Sequence, residues 1–288
     1  MDKRHGEAYA LHARLILQDF DKMTQLDNRL LAVDVGNTNV TLGIWQNNQL
    51  LLSWRARTVA DKMPDEYAVL VRNFLAGANL SWKQIGGVAI SSVVPPLTTT
   101  FTELSRRYLE IDPLVVTNKT DTGVALLVDQ PEQVGADRIV NAAAVKVMYG
   151  GPAIVIDFGT ATTFDVVSKD GDYLGGAISP GIGVAHDALV SRAARLHKVD
   201  LVPPPRPIGK NTIQAMQSGI FWGYVALVEG LVKRLRDDLG LPDTKIIATG
   251  GLAPLFREHT PVIDLIAPDL TLEGLRIIYE RQNPEAHI

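Results

Sequence analysis

Short apolar runs separated by polar turns make up the chain from residue 30 onward. The first three runs span residues 30–35, 40–45 and 49–57, and Asn47-Asn48 forms a turn before the third. Runs of this length, bounded by turn residues, are typical of buried strands. Two more strands are predicted at residues 87–92 and 114–117, with helices at 65–76 and 99–109 and Pro95-Pro96 as the stop of the fourth strand. This order of strands and helices indicates an α/β protein.

The second half of the chain repeats this opening. Strands are predicted at residues 153–157, 163–167, 173–177 and 245–249, and a helix at 135–149. The longest helix should run from Asn211 to Gly240, because its apolar residues recur every three or four positions. They are Ile213, Met216, Ile220, Tyr224, Leu227, Leu231, Leu235 and Leu239. A final helix, capped by Asp269 or Thr271, is expected to continue through Glu280.

An internal repeat relates the two halves. Residues 31–39 and 154–162 share the order strand, aspartate, any residue, glycine, turn and strand, and the aspartates are Asp34 and Asp157. This spacing leaves room for one compact lobe between them, whereas solenoid repeats have periods of ~20–50 residues. The repeat therefore predicts two related α/β lobes facing each other across a cleft.

A strand that ends in Asp-x-Gly and then reverses places a carboxylate at the edge of a sheet. Glycine lets backbone N–H groups approach a ligand closely, and a following threonine adds a hydroxyl donor. A carboxylate would repel phosphate, so a phosphate site of this kind needs a cation between the two anions. One copy alone would favour a plain hairpin turn. Two copies at matching places favour a ligand site.

Gly135-Ala136-Asp137-Arg138 opens the helix predicted at residues 135–149. One interpretation is structural, because aspartate in a first helical turn complements the helix dipole and caps free N–H groups. In the other interpretation, Asp137 accepts the proton of a substrate hydroxyl while Arg138 clamps an anion or carboxylate. The spacing alone does not decide between them.

Three other segments carry weaker signals. Residues 176–183 form either a phosphate-approaching loop or a flexible crossover. Asn211-Thr212 contacts a substrate or caps the long helix, and capping is favoured. Gly250-Gly251 lies under a nucleotide base or forms a strand-to-helix turn. The histidines show no metal-ligand spacing, and His186 and His197 are predicted to lie at the surface.

Composition excludes several function classes. The 28 basic and 32 acidic residues give a net charge of −4, which leaves no basic excess to hold a nucleic-acid backbone. The absence of cysteine excludes disulfides, thiolate metal sites and a cysteine nucleophile. No run of ~20 apolar residues predicts a membrane span, and the N-terminus lacks the order of residues found in signal peptides. A cytoplasmic location is therefore expected.

Several motifs occur in a specific order, beginning at Asp34 (DVGNTN), Gly135 (GADRIVNA), Asp157 (DFGTATTFD), Gly175 (GGAISPGI), Met216 (MQSG), Ala248 (ATGGL) and Leu270 (LTLEGL). Together they resemble type III pantothenate kinase, a member of the superfamily of actin, hexokinase and the heat-shock ATPases. The resemblance implies two related actin-like (ribonuclease H-like) lobes with mixed sheets flanked by helices and a nucleotide cleft between them. The predicted division is an N-terminal extension at 1–29, one lobe at 30–130 and the other at 131–288.

The resemblance also implies an activity, the ATP-dependent phosphorylation of pantothenate to 4′-phosphopantothenate, the first step of coenzyme A biosynthesis. Asp137 would be the proton acceptor, Asp157 would hold a monovalent cation (K⁺ or NH₄⁺), and Mg²⁺ would accompany ATP. The implied ATP-binding residues are Asp34, Val35, Gly36, Asn37, Thr38, Asn39, Val40, Thr41 and Thr160. The implied substrate-binding residues are Val128, Gly135, Ala136, Asp137, Arg138 and Thr212. The family forms homodimers with the substrate site near the interface, for which the long helix is a candidate.

Two departures from the family pattern matter. The family usually has tyrosine at the position of Val128, and valine offers no hydroxyl to the substrate. Losing one hydrogen bond costs ~1 kcal/mol, or about fivefold in affinity. The family also normally lacks the charged leader through Arg29, which has a loose helical pattern at Leu11, Leu15 and Ile16.

Two alternatives to a pantothenate kinase remain. One is a related small-molecule kinase with an altered acceptor. The other is a non-catalytic accessory protein on the same fold, which would be expected to lose Asp137 or Asp157, although both are present.

Overall fold

The structure is a computed structural model that describes residues 29–193 and 195–285. The helical pattern predicted at Leu11, Leu15 and Ile16 lies outside these residues. Arg29, which the sequence assigns to the extension, is the first residue of the first strand.

The first lobe is built on a five-stranded mixed sheet. Its strands are β1 (Arg29–Val35), β2 (Asn39–Gln46), β3 (Gln49–Arg57), β4 (Ile85–Ser92) and β5 (Leu114–Val115), in the spatial order β3-β2-β1-β4-β5. Its helices are α1 (Pro64–Gly77), α2 (Pro95–Leu104) and α3 (Ala136–Met148). The strands pair antiparallel through the β1–β2–β3 meander and parallel from β1 to β4 and β5.

The second lobe repeats the strand order of the first, with one additional helix. Its strands are β6 (Ala153–Phe158), β7 (Ala161–Val167), β8 (Tyr173–Pro180), β9 (Lys245–Thr249) and β10 (Leu265–Ile266), in the order β8-β7-β6-β9-β10. Its helices are α4 (Ile182–Arg192), α5 (Thr212–Leu239), α6 (Ala253–Arg257) and α7 (Leu270–Gln282). The repeat predicted from the two Asp-x-Gly segments is therefore a repeat of the whole lobe topology.

Helices α3 and α7 pack against each other between the two sheets. Leu272, Leu275 and Ile278 of α7 are buried together with Leu30 and Ala32 of β1. The C-terminal helix thus completes the core beneath the first sheet. Ala142, Ala144 and Val145 of α3 are buried with residues of the second sheet. Because both helices serve both lobes, the division at residues 130 and 131 stays a prediction.

The second predicted helix begins earlier than the sequence suggested. The prediction placed it at residues 99–109 and treated Pro95-Pro96 as the stop of β4, but both prolines lie in the first turn of α2. Proline is favoured there because its missing N–H would be unpaired in any case. The α-helix ends at Leu104 and continues as one wide π turn, Ser105–Leu109.

Helix α5 is capped at both ends as predicted. The Asn211 side chain accepts a hydrogen bond from the Gln214 N–H at 2.9 Å, and Gly240 ends the helix in the left-handed conformation. The capping interpretation of Asn211 is therefore confirmed.

Two faces of α5 are apolar. Phe221, Val225, Val228 and Val232 are buried in the core of the second lobe. The predicted stripe, by contrast, is largely half-buried, and Ile213 is 58% exposed. By length and composition alone α5 could cross a bilayer, contrary to the expectation from sequence, and a third of its apolar window is buried. Core helices of water-soluble proteins meet the same criterion.

Candidate active site

The three aspartates singled out by the sequence meet in one cleft. Asp34 and Asp157 are the second-to-last residues of β1 and β6, and Asp137 lies in the first turn of α3. All three line a cavity of about 680 Å³ between the lobes. The cleft predicted from the repeat is therefore present, and its walls carry the predicted carboxylates.

The two Asp-x-Gly segments form similar hairpins. The Gly36 N–H donates to the Asn39 carbonyl oxygen at 3.0 Å, and the Gly159 N–H donates to the Ala161 carbonyl oxygen at 3.1 Å. The tips of the hairpins touch, because the hydroxyl oxygens of Thr38 and Thr160 are 2.6 Å apart. One hydroxyl from each lobe thus closes the same part of the cleft.

The segment predicted to bind ATP divides into two groups. Asp34, Gly36, Asn37, Thr38, Asn39 and Thr41 line the cleft together with Thr160. Val35 and Val40 are paired with each other in β1 and β2, and both are fully buried in the core of the first lobe. Their side chains support the hairpin from below and do not reach the cleft.

Asp34 is in an environment that disfavours its charge. Burial raises the pKa of this carboxyl group to about 7, and the Asp137 carboxylate adds to the rise. The hydroxyl of Ser91, which pairs with Asp34 across β1 and β4, acts to lower this pKa.

Asp157 is in a similar position in the second lobe. Burial raises its pKa to about 7, and Asp137 and Asp165 contribute in the same direction. Arg55, from the first lobe, acts to lower it. Two neighbouring carboxyl groups with pKa values near neutrality take up a cation readily, because a bound cation stabilises the charged form of both. The donor set therefore fits cations held at Asp34 and Asp157.

No group of three or more aspartate, glutamate, histidine or cysteine side chains with metal-ligand geometry occurs among residues 29–193 and 195–285. A cation in the cleft would therefore take carboxylate ligands from one or two aspartates and complete its shell with ligand or water oxygens. This is the mode of binding that Mg²⁺ adopts when it accompanies nucleotide phosphates.

Asp137 lies in the first turn of α3 and faces the cleft. Its Oδ1 accepts a hydrogen bond from the Arg138 N–H at 2.8 Å, as the structural interpretation predicts, but Gly135 and not Asp137 is the N-cap residue. Burial nevertheless raises its pKa, with Arg138 acting in the opposite direction. The carboxylate also lines the cavity. The two interpretations left open by the sequence are therefore compatible in one side chain.

Arg138 is held by a residue that sequence reasoning did not single out. Its Nε donates to Oδ1 of Asp165 at 2.5 Å, and Asp165 is completely buried. Thr163 and Tyr173 also donate to the Asp165 carboxylate, at 3.0 and 3.2 Å. Although burial acts to lower it, the Asp165 carboxylate raises the pKa of Arg138. Two features of the sequence pointed to Asp165: it is a charged residue within the apolar run of β7, and it is the last residue of the DFGTATTFD motif.

Of the remaining predicted substrate residues, some adjoin Asp137 and others lie away from the cleft. Gly135 precedes α3 and Ala136 is its first residue, so both adjoin Asp137. Val128 is half-buried beside Gly175 of β8. Thr212 is exposed at the start of α5 and lines a separate apolar groove of about 530 Å³ between α4 and α5. Within one chain, Thr212 does not line the cleft that holds Asp137.

Two glycines let the backbone close around Asp157. The Gly181 N–H donates to the Thr160 carbonyl oxygen at 3.0 Å, and a Cβ at Gly181 would lie only 2.4 Å from that oxygen. Gly250 has a φ of 88°, and a Cβ there would lie 2.7 Å from an Asp157 carboxylate oxygen. Gly250 and Gly251 line the cleft, so they form a turn that is also part of its wall.

His186 does not lie at the surface as predicted. It is 1% exposed in α4, where its Nε2 accepts a hydrogen bond from the Val199 N–H at 3.3 Å. The prediction was wrong because the chain after α4 folds back over this helix, which its local sequence does not reveal.

Comparisons with known proteins agree on a family. The sequence profile described as type III pantothenate kinase matches residues 30–234. The type III pantothenate kinase of Roseiflexus sp. (strain RS-1) is 51% identical over 251 residues, covering 87% of this chain and 98% of the relative. That of Moorella thermoacetica is 51% identical over 252 residues, covering 88% and 99%.

Among solved structures, the activator of the 2-hydroxyisocaproyl-CoA dehydratase from Clostridium difficile with bound ADPNP has a TM-score of 0.55. It is 12% identical and covers 90% of this chain and 98% of its own. At this identity the likeness concerns the fold, and it agrees with the two actin-like lobes predicted from the sequence.

Proposed function

The chain belongs to the type III pantothenate kinase family, and on that premise we propose that it transfers the γ-phosphoryl group of ATP to pantothenate. The product is 4′-phosphopantothenate, and the reaction is the first step of coenzyme A biosynthesis. The observation that carries the proposal is the convergence of Asp34, Asp137 and Asp157 in one cleft between two related lobes.

Asp137 is the proposed proton acceptor for the attacking hydroxyl of pantothenate. A carboxylate in the first turn of a helix stays available for hydrogen bonding, while partial burial raises its pKa toward that of a useful base. Positioning of the hydroxyl and charge stabilisation supply the catalysis, because phosphoryl transfer needs no covalent enzyme intermediate.

Arg138 is the proposed clamp for the pantothenate carboxylate. A guanidinium group has five N–H donors, and the ion pair with Asp165 uses the one on Nε. The remaining donors fit a carboxylate in the fork geometry that arginine favours. Asp165 fixes the direction in which the fork points.

The proposed ATP site follows the first hairpin, from Asp34 to Thr41, with Thr160 supplied by the second. Mg²⁺ accompanies the phosphates, and Asp157 holds a monovalent cation, K⁺ or NH₄⁺. These cations neutralise the triphosphate and lower its repulsion from the carboxylates. The raised pKa values of Asp34 and Asp157 support this assignment, since such groups gain most from a neighbouring positive charge.

We infer a homodimer from the apolar surface around α4 and α5. Ile178, Ile208 and Ile213 are 67%, 75% and 58% exposed, and the groove between α4 and α5 is lined largely by apolar side chains. Contiguous apolar surface of this kind marks an interface. A second copy on this face would also bring Thr212 of one chain toward the substrate site of the other.

We assign the apolar character of α5 to this interface rather than to a membrane, and we infer a cytoplasmic location. The net charge of −4 argues against nucleic acid as a partner. The small-molecule partners are pantothenate and ATP.

A second candidate function, a related kinase with a different acceptor, is favoured by one residue. Val128 is half-buried beside Gly175 and offers no hydrogen-bond donor at the position where the family usually has tyrosine. A pocket with an apolar wall here would accept pantothenate less tightly, by about fivefold.

The purified protein tests both functions in one assay. It is given ATP, Mg²⁺ and K⁺ with pantothenate, pantetheine or a simple sugar, and kcat/KM is measured for each acceptor from ADP release. Pantothenate should give the highest value, and mass spectrometry should detect 4′-phosphopantothenate. A higher kcat/KM for another acceptor would establish the second function, and absence of turnover with every cation and acceptor would refute both.

A further inference from the structure

The charges of the cleft are unbalanced. Its lining includes five aspartates, Asp34, Asp137, Asp157, Asp187 and Asp269. Among the described residues, only Asp187 of these five forms an ion pair, with the exposed Lys198 at 2.9 Å. Among the described residues that line the cleft, Arg55 is the single lysine or arginine. A cleft built to hold a polyanion thus presents one positive side chain of its own.

Arg55 lies on the strand next to the first hairpin, in register with Asp34 and Thr41. Asp34 pairs with Thr41 across β1 and β2, and Thr41 pairs with Arg55 across β2 and β3. Residues paired in this way project from the same face of a sheet, and neighbouring strands are ~4.8 Å apart. Arg55 therefore lies on the face that carries Asp34 and Thr41, about two strand spacings from Asp34 and within the reach of an arginine side chain.

The guanidinium group also reaches the opposite lobe. One of its nitrogens lies 3.5 Å from the position that a Cβ would take at Gly251. Arg55 is the positive charge that opposes the rise in the pKa of Asp157. Its side chain therefore spans the cleft from the third strand of the first lobe to the Gly250–Gly251 turn of the second.

Arg55 differs from Arg138 and Arg276 in having no fixed partner among the described residues. Arg138 is paired with Asp165, and Arg276 is paired with Glu273 and Glu280. Arg55 makes no hydrogen bond or ion pair with any residue in the described ranges 29–193 and 195–285. An arginine that donates to none of these residues has all five N–H groups available for a ligand.

We propose that Arg55 binds the polyphosphate of the nucleotide and is a catalytic residue of the phosphoryl transfer. The planar guanidinium fork matches two phosphate oxygens at once, which a lysine ammonium does not. In this position it neutralises charge that Asp34, Asp137 and Asp157 would otherwise repel, and it ties the nucleotide to both lobes. The proposal rests on the proposed function, because it takes ATP as the occupant of the cleft.

The test measures binding of ATP, ADP and adenosine separately, by calorimetry on the whole protein with Mg²⁺ and K⁺. Arg55→Ala should weaken ATP and ADP about 10- to 100-fold, the value of a charge-assisted hydrogen bond, and leave adenosine unchanged. Arg55→Lys should recover only part of the loss, because it restores the charge without the fork. Arg72→Ala, which removes an exposed arginine from α1, is the matched control and should bind like the wild type.

Each outcome is decisive. If Arg55→Ala binds ATP like the wild type, or loses adenosine as strongly as ATP, the proposal is wrong. Circular dichroism on the same samples identifies a variant that has lost its fold, and Arg55→Lys then provides the answer. If the wild-type protein binds no adenine nucleotide, the proposed function fails first, so the two failures are distinguishable.

Discussion

The Asp34 and Asp157 hairpins occupy the same place in two lobes of the same topology, yet their surroundings differ. Asp34 has the Ser91 hydroxyl beside it on the neighbouring strand. At the equivalent place in β9, Asp157 pairs with Thr249. Asp157 also has a second carboxylate, Asp165, and an arginine from the other lobe near it. The repeat thus duplicates the backbone, whereas the side chains around the two carboxylates differ.

Asp137 is the residue that both hairpins share. It raises the pKa of Asp34 and of Asp157 and belongs to neither hairpin. A single negative charge near both hairpins is suited to orient an acceptor hydroxyl. Substitutions at Asp137 are therefore expected to lower kcat. Substitutions in either hairpin are expected to weaken the binding of the nucleotide or its cations.

Asp137→Asn gives the largest expected effect on turnover. Loss of the proton acceptor should lower kcat by about 10²- to 10⁴-fold. The Kd for ATP should stay within about twofold of the wild-type value, since the hairpins are intact. Steady-state kinetics measures kcat and calorimetry measures the Kd. A near-normal kcat would show that another residue accepts the proton.

Asp165→Asn tests the ion pair between Asp165 and Arg138, which has no counterpart beside Asp34 among the described residues. It leaves the buried Arg138 without its counter-charge, which should lower the free energy of unfolding by about 3–5 kcal/mol. Because Arg138 then loses its orientation, the KM for pantothenate should rise while the KM for ATP changes little. Asp172→Asn, which breaks the ion pair with Lys146, is the control and should cost at most about 1 kcal/mol. If both KM values change equally, Asp165 has only a structural role and does not orient Arg138 toward pantothenate.

Thr38→Val and Thr160→Val compare the two hairpin tips directly. Each removes one hydroxyl from the pair that meets at 2.6 Å. Both should weaken ATP by about fivefold, the value of one hydrogen bond of ~1 kcal/mol. The KM for pantothenate should not change. If only one variant has an effect, the nucleotide contacts one lobe more than the other.

The pH dependence of stability is the smallest expected effect. In protein freed of cations, folding raises the pKa of Asp157 from 3.8 to about 7. The folded state therefore keeps a proton that the unfolded chain has lost, and stability falls as the pH rises through this range. Asp157→Asn should flatten that fall and raise Tm at pH 8 by about 2–4 °C.

Added K⁺ or Mg²⁺ is the control for the pH experiment. Either cation should flatten the wild-type profile by stabilising the ionised carboxylates, and should change that of Asp157→Asn less, because only Asp34 of the pair remains. Thermal unfolding followed by circular dichroism measures both. A wild-type profile that rises between pH 4 and 7 without cations would contradict the environment described for Asp157.

The sequence predicted the features that depend on neighbouring residues, namely strands, turns and helix caps. The strands at residues 49–57 and 245–249 are found at the predicted bounds, because short apolar runs between turns rarely form anything other than strands. The Asp-x-Gly repeat predicted the two lobes and the position of their carboxylates. Asn211 caps α5 as expected from its residue type and place.

Contacts between distant segments were not predictable in the same way. The pairing of Arg138 with Asp165 and the reach of Arg55 across the cleft join residues far apart in sequence. The burial of His186 depends on a later loop. Even within the first hairpin, pattern alone did not separate Val35 and Val40, which are buried in the core, from Thr38 and Thr41, which line the cleft.

The most direct measurement follows the fate of the γ-phosphoryl group. ATP labelled at this group is incubated with pantothenate, Mg²⁺ and K⁺, with wild-type protein and with Asp137→Asn. With the wild type, the label should appear in 4′-phosphopantothenate, and the variant should transfer it at least ~100-fold more slowly. Label found only in inorganic phosphate, or transferred equally fast by both proteins, would contradict a kinase site centred on Asp137 between the two hairpins.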